Sequence, residues 1–225
     1  QLIIDGNTKE ANTYTHADSA DLLFIDSTSR VLSAEISNMY DWRINSRNNR
    51  VIDYLRVMNS RLTLSGSGTT KFPQAEEIYI SNSTLKLLTD FEIGAWTSEI
   101  LISNSRIQGN FKLDLYSHPS GSHFKFSNNY FDKTALDVRG GGLYLELNNN
   151  MFDTYDTYAV RGTTAAGPTW YIFGRGNTFI GAASGDTPFQ KSTNWTTKSL
   201  LHDNVYDTTD LTNESIDSDN NNYKM

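Results

Sequence analysis

Across most of the 225-residue chain, apolar and polar positions alternate in short runs, each ended by a cluster of turn formers. Ile78-Tyr79-Ile80, Leu85-Lys86-Leu87 and Phe91-Glu92-Ile93 are successive examples. A period of two over so few residues predicts short strands rather than helices, because side chains on an extended chain point alternately to opposite faces. Turns are predicted at 94–98, 109–110, 117–122, 139–142 and 162–169, where Gly, Pro, Ser and Asn gather.

The runs recur. An apolar residue, any residue, Asn, any two residues and a second apolar residue occur as Val57-Met-Asn59-Ser-Arg-Leu62, Ile80-Ser-Asn82-Ser-Thr-Leu85 and Ile102-Ser-Asn104-Ser-Arg-Ile107. Phe126-Ser-Asn128-Asn-Tyr-Phe131 and Leu147-Asn-Asn149-Asn-Met-Phe152 continue the series, so the asparagines are spaced by 23, 22, 24 and 21 residues. Weaker copies place Gly176 and Asp203 at the Asn position, each 27 residues on, and Ile36-Ser-Asn38 stands 21 residues before Asn59. Three strands and three turns in about 22 residues make one coil of a parallel solenoid, whose stacked coils bury a core that no single coil could bury. The expected fold class is therefore all-β, a single-stranded parallel β-helix of about eight coils, roughly 35 to 40 Å long at about 4.8 Å per coil. An Asn repeated at one turn predicts a ladder of buried side chains that tolerate left-handed backbone and satisfy one another from coil to coil.

Composition sharpens this picture. Asn, Ser and Thr number 22, 23 and 24, about 31% of the chain, against 12 Ala. Such a mixture disfavours helix and by itself would fit a loose, loop-rich protein; the repeat turns much of it into internal structure. A net charge of −7 and a pI near 5.0 argue against a nucleic-acid partner, which needs a basic face. No apolar run exceeds four residues (22–25 and 170–173), whereas a membrane-spanning helix needs about 20, so no membrane insertion of that kind is expected. With no cysteine there are no disulfides, thiolate ligands or cysteine nucleophiles. No HExxH, Walker loop or dinucleotide fingerprint occurs, and His16, His118, His123 and His202 are scattered, so neither a metal nor a cofactor is expected. Gln1 opens a strand-like segment without a charged-then-apolar leader, which reads as a piece of a longer polypeptide.

The strings ISNSTL, ISNSRI, FSNNYF and LNNNMF resemble the second-turn asparagine ladder of right-handed β-helices in the pectate-lyase-like superfamily. The resemblance covers residues 36–207, with 1–35 as lead-in or first coils and 208–225 as a polar, acidic tail or an assembly strand. Within that superfamily, the absent cysteines and the Asn/Ser/Thr-rich coils look like a section of a bacteriophage tailspike or tail-fibre protein. That likeness implies a virion location, a homotrimer, and binding, with or without cleavage, of bacterial surface polysaccharide. A non-catalytic segment of a virion fibre and a secreted bacterial polysaccharide lyase remain as alternatives, because this fold hosts lyases, hydrolases and non-enzymes.

With the strand before each Asn taken as second and the one after it as third, the first strands are Phe91-Glu92-Ile93, Leu113-Asp114-Leu115, Leu136-Asp137-Val138 and Tyr158-Ala159-Val160. Glu92, Asp114 and Asp137 then point outward in one column, and two residues on Arg139 and Arg161 form another in line with Tyr116. The resemblance implies a polysaccharide groove along the first strand and first turn. On that footing Asp114, Asp137 and Glu92 are the candidate catalytic residues, and Arg139, Arg161, Trp96, Tyr116 and His118 the candidate substrate-binding ones. Asp114 and Asp137 on adjacent coils should lie roughly 5 Å apart, near the separation of a retaining glycosidase pair. Two charges at that distance repel by about 3 kcal/mol at an effective dielectric of 20, so a raised pKa, a bound cation or the neighbouring Arg139 is needed as relief. A plain solvated outer face accounts for the same columns, and the first-turn rings Trp96, Tyr116 and Trp195 suit packing as well as sugar stacking.

Overall fold

The structure, a computed structural model, describes residues 2–5, 21–24, 31–47, 52–64, 70–71, 75–117, 121–140, 143–155, 157–162, 169–181, 187–190, 196–206 and 223–224. Every regular element among them is a strand, and nearly all pair in parallel. The chain winds through three sheets. The first sheet has five strands, Phe91–Thr97, Lys112–Ser117, Ala135–Gly140, Tyr158–Gly162 and Thr187–Gln190. The second has nine, from Leu2–Asp5 to Thr196–His202, and the third climbs beside it from Asp21–Phe24 to Val205–Tyr206, with Tyr223–Lys224 added at the end. No helix among the described residues is long and apolar enough to cross a membrane.

The parallel β-solenoid is thus present, but the number of complete coils is smaller than the repeat suggests. Only five coils carry a strand in all three sheets among the described residues, against about eight expected. Before Phe91 the segment Ser-Gly-Ser-Gly-Thr-Thr-Lys-Phe-Pro-Gln at 65–74 lacks the alternation a strand needs. Part of it, Thr70–Lys71, folds back antiparallel against Tyr40–Arg47.

The asparagine column divides into two. Asn59, Asn82, Asn104, Asn128 and Asn149 adopt left-handed backbone with φ between 49° and 57°, but their side chains are exposed rather than buried as expected. Asn stands there because its short polar side chain tolerates the left-handed region. Gly176 fills that place in a later coil, at φ 65°, where a Cβ would collide with the Asn149 carboxamide. The buried ladder is made by the next residue in each coil: Ser60, Ser83, Ser105, Asn129, Asn150, Asn177 and Asn204, each at most 5% exposed. Ser60 N donates to Ser83 Oγ at 3.1 Å, Ser83 N to Ser105 Oγ at 3.1 Å, and Ser105 N to Asn129 Oδ1 at 3.0 Å. From Asn129 onward each rung is doubled, since both the backbone N and Nδ2 of Asn129 donate to Asn150 Oδ1 at 3.0 Å. The same double bond joins Asn150 to Asn177 and Asn177 to Asn204.

Inside, the apolar residues of all three sheets form one continuous cluster. On the third sheet Phe131, Phe152, Phe179 and Tyr206 stack with centroids 4.4, 4.9 and 5.1 Å apart and planes within 10° of parallel. The spacing follows the coil repeat, and each fully buried Phe contributes about 2 to 3 kcal/mol through burial alone.

Candidate functional site

The strands of the first sheet carry the sequence-predicted residues other than His118. Glu92, Asp114 and Asp137 are register partners on three successive coils, as the alternation requires. Tyr116 pairs with Arg139 in the neighbouring column. Arg161, however, does not lie beside Arg139. Its partner is Asp137, so it joins the carboxylate column. The cause is a longer turn: the step from Asp132 to Leu136 becomes, one coil later, the step from Asp153 to Val160, three residues more. Thr154 and Thr157 both take positive φ there, 56° and 66°, where the previous coil has only Lys133.

This shift decides the electrostatics. Arg161 Nη2 donates to Asp137 Oδ2, and Nε lies 3.5 Å from Oδ1, a fork-on-carboxylate contact. Asp137 is fully buried and Asp114 is 8% exposed, so both carboxylates lie beneath the surface of an outer face expected to be solvated. The relief for the carboxylate column is therefore Arg161, set in the column itself. Burial is the largest single influence and opposes the guanidinium charge, but the hydrogen bond to Asp137 together with the negative charges of Asp137 and Asp114 outweighs it and holds the Arg161 pKa above its ordinary value.

Tyr158 completes the cluster. Two cations lie over its ring, with Arg161 Cζ 4.5 Å and Lys112 Nζ 5.8 Å from the centroid. The residue is 2% exposed and its hydroxyl makes no hydrogen bond among the described residues. Burial, then the charge of Asp137, pushes its pKa up. Asp90 anchors the coil from the side, its Oδ1 accepting from Lys112 N at 2.9 Å. Chemically this is a surface that presents part of one guanidinium, a shallow carboxyl at Asp114 and a lysine. Asp137, out of reach of solvent, is the group that positions Arg161.

Trp96 falls in an irregular stretch of the first sheet between Ile93 and Thr97, where two extra residues interrupt the register with Leu115 and Ser117. His118 and Trp195 lie outside the described residues. His123 sits on the second sheet, apart from the column, and stacks on Tyr144 at 4.6 Å. No group of three or more His, Asp or Glu among the described residues is arranged to hold a metal ion.

Sequence reasoning missed Tyr158 and Lys112 at the site, because the longer turn cannot be read from spacing alone. It also missed the second-sheet stack of His123, Tyr144 and Tyr171, with centroids 4.6 and 4.8 Å apart. That signal was present: each residue stands five positions before a left-handed residue, Asn128, Asn149 or Gly176. Compared with protein-family models, curated proteins and solved structures, the chain matches none of them.

Proposed function

We propose that the chain is a β-helical section of a bacteriophage tailspike or tail fibre that binds bacterial surface polysaccharide during host adsorption, as a homotrimer in the virion. The observation that carries this reading is the outer column of the first sheet, where Asp114, Asp137 and Arg161 occupy the same position on successive coils. A linear glycan laid along the axis would meet the Asp114 carboxyl and, two coils on, the Arg161 guanidinium, with the buried Asp137 between them. Arg161, with its side chain 27% exposed, is the group placed to receive a sugar hydroxyl or uronate, and Asp114, two coils away in the same column, the carboxyl.

The test is calorimetric titration of the chain with capsule and lipopolysaccharide fragments from a panel of bacteria. Binding that weakens at least tenfold in Arg161→Lys and in Asp114→Asn supports the reading; no binding to any fragment overturns it. Reducing-end or unsaturated-product release that is lost in Asp114→Asn would extend it to depolymerisation. One observation favours the non-catalytic fibre segment: the Asp137 charge is fully buried and already answered by Arg161, as in a structural ion pair.

A further inference from the structure

The buried ladder matches its hydrogen-bonding side chains from coil to coil, as where Ser105 N donates to Asn129 Oδ1 at 3.0 Å. Tyrosine hydroxyls on the second and third sheets are matched too, Tyr79 with Glu77 at 2.5 Å and Tyr130 with Asp153 at 2.5 Å. Tyr158 departs from this pattern. The residue is 2% exposed, yet its hydroxyl has no partner among the described residues. Phe would fill the same space without stranding a donor, and a buried donor left unmet lowers stability. Such a group points to a partner from outside the chain, either a ligand or a trapped water.

The surroundings select the acceptor. Burial first, and then the charge of Asp137, keep the hydroxyl protonated, so at neutral pH it is a donor and not a base. Asp114 and Asp90 act in the same direction, and Arg161 acts against them. Three carboxylates thus stand against the two cations over the ring, and Arg161 is already engaged with Asp137. A carboxylate ligand brought to this hydroxyl would meet the excess of negative charge, whereas a neutral hydroxyl or ring oxygen would not.

Access depends on the same two cations. Arg161 is fixed, since its fork holds Asp137 while its Cζ lies 4.5 Å from the ring centroid. The Lys112 backbone is held as well, its N donating to Asp90 Oδ1 at 2.9 Å. Its ammonium is not: it lies 5.8 Å from the centroid, close to the limit of about 6 Å for such a contact, and makes no ion pair among the described residues. A flexible four-carbon stem lets that ammonium swing away at little cost. We propose that the Tyr158 hydroxyl is a binding group of the first-sheet site, donating to an uncharged hydroxyl or ring oxygen of a bound glycan once Lys112 moves aside. The proposal rests on the glycan-binding reading and narrows it, because the sugar beside Tyr158 is then a neutral one and not a uronate.

Tyr158→Phe tests it with two readouts that a structural hydroxyl would move differently. Without glycan, the variant should melt no lower than wild type and up to about 4 °C above it, because a stranded donor is gone. In calorimetric titration with neutral fragments of capsule and lipopolysaccharide it should bind about tenfold more weakly than wild type, the loss of one hydrogen bond. Uronate-bearing fragments should bind wild type more weakly than the same fragments after reduction of their carboxyls to alcohols. A variant that melts below wild type, or fails to fold, shows the hydroxyl to be bonded already to a trapped water and overturns the proposal. Unchanged affinity for neutral fragments in the folded variant overturns it too, as does native uronate binding as tight as that of the reduced form, and both leave the glycan reading standing. Wild type that binds no fragment overturns both.

Discussion

At Asn104 the backbone turns left-handed, φ 49°, and the residue after it, Ser105, is the one that goes inside. The two positions therefore respond differently to substitution. Asn104→Gly should leave stability nearly unchanged, whereas Asn104→Ala should cost about 1 to 2 kcal/mol, the penalty of a Cβ in the left-handed region. Chemical denaturation of the two variants side by side measures the difference. Asn150 is the demanding position, since its Oδ1 accepts two bonds from Asn129 and its Nδ2 donates to Phe126 O and to Asn177 Oδ1. Asn150→Ala leaves buried donors and acceptors unmet and should cost about 3 kcal/mol or more. Asn150→Ser should cost less, because Ser83 and Ser105 show that a hydroxyl can accept the same backbone bond while donating to the carbonyl two residues back.

Among elements, the first sheet is ordered by a buried ion pair and the third by surface hydrogen bonds. Removing Arg161 takes the guanidinium from the buried Asp137 carboxylate, so Arg161→Ala should destabilise by about 3 to 5 kcal/mol, and replacing both with apolar residues, Asp137→Leu with Arg161→Met, should recover most of that loss in the same denaturation assay. On the third sheet the Tyr130 hydroxyl, then Thr154, holds the Asp153 pKa below its ordinary 3.8. A depressed carboxylate stabilises the fold above its unfolded pKa, and that contribution is lost as pH falls through the folded one. Tyr130→Phe should therefore lower the melting temperature at pH 7, and the gap from wild type should close as pH drops below about 4.

For the whole molecule, the solenoid was legible in the sequence because Val57 to Leu62, Ile80 to Leu85 and their successors repeat a pattern that only stacked coils can bury. The alignment of Glu92, Asp114 and Asp137 followed from alternation alone and is found in the register. Arg161 was placed one column away from where it lies, because alternation fixes a strand's faces but not the length of the turn that feeds it. The ladder was assigned to Asn104 and its kin in place of Ser105 and its kin for a related reason: both columns repeat with the same period, and period does not tell which of two adjacent residues turns inward.

The doubled rungs from Asn129 to Asn204 have a mechanical meaning. Bonds between coils run along the axis, so tension applied at the two ends loads them one coil at a time, like a zipper and unlike a sheet pulled in shear. Coils joined by single Ser rungs should yield at lower force than those joined by paired Asn rungs. Each rupture should release roughly 75 Å of chain, the extended length of the 22 residues from Ser83 to Ser105. Single-molecule stretching would show this as a sawtooth whose first, weaker teeth come from the N-terminal half, making the molecule a fibre graded in strength from one end to the other.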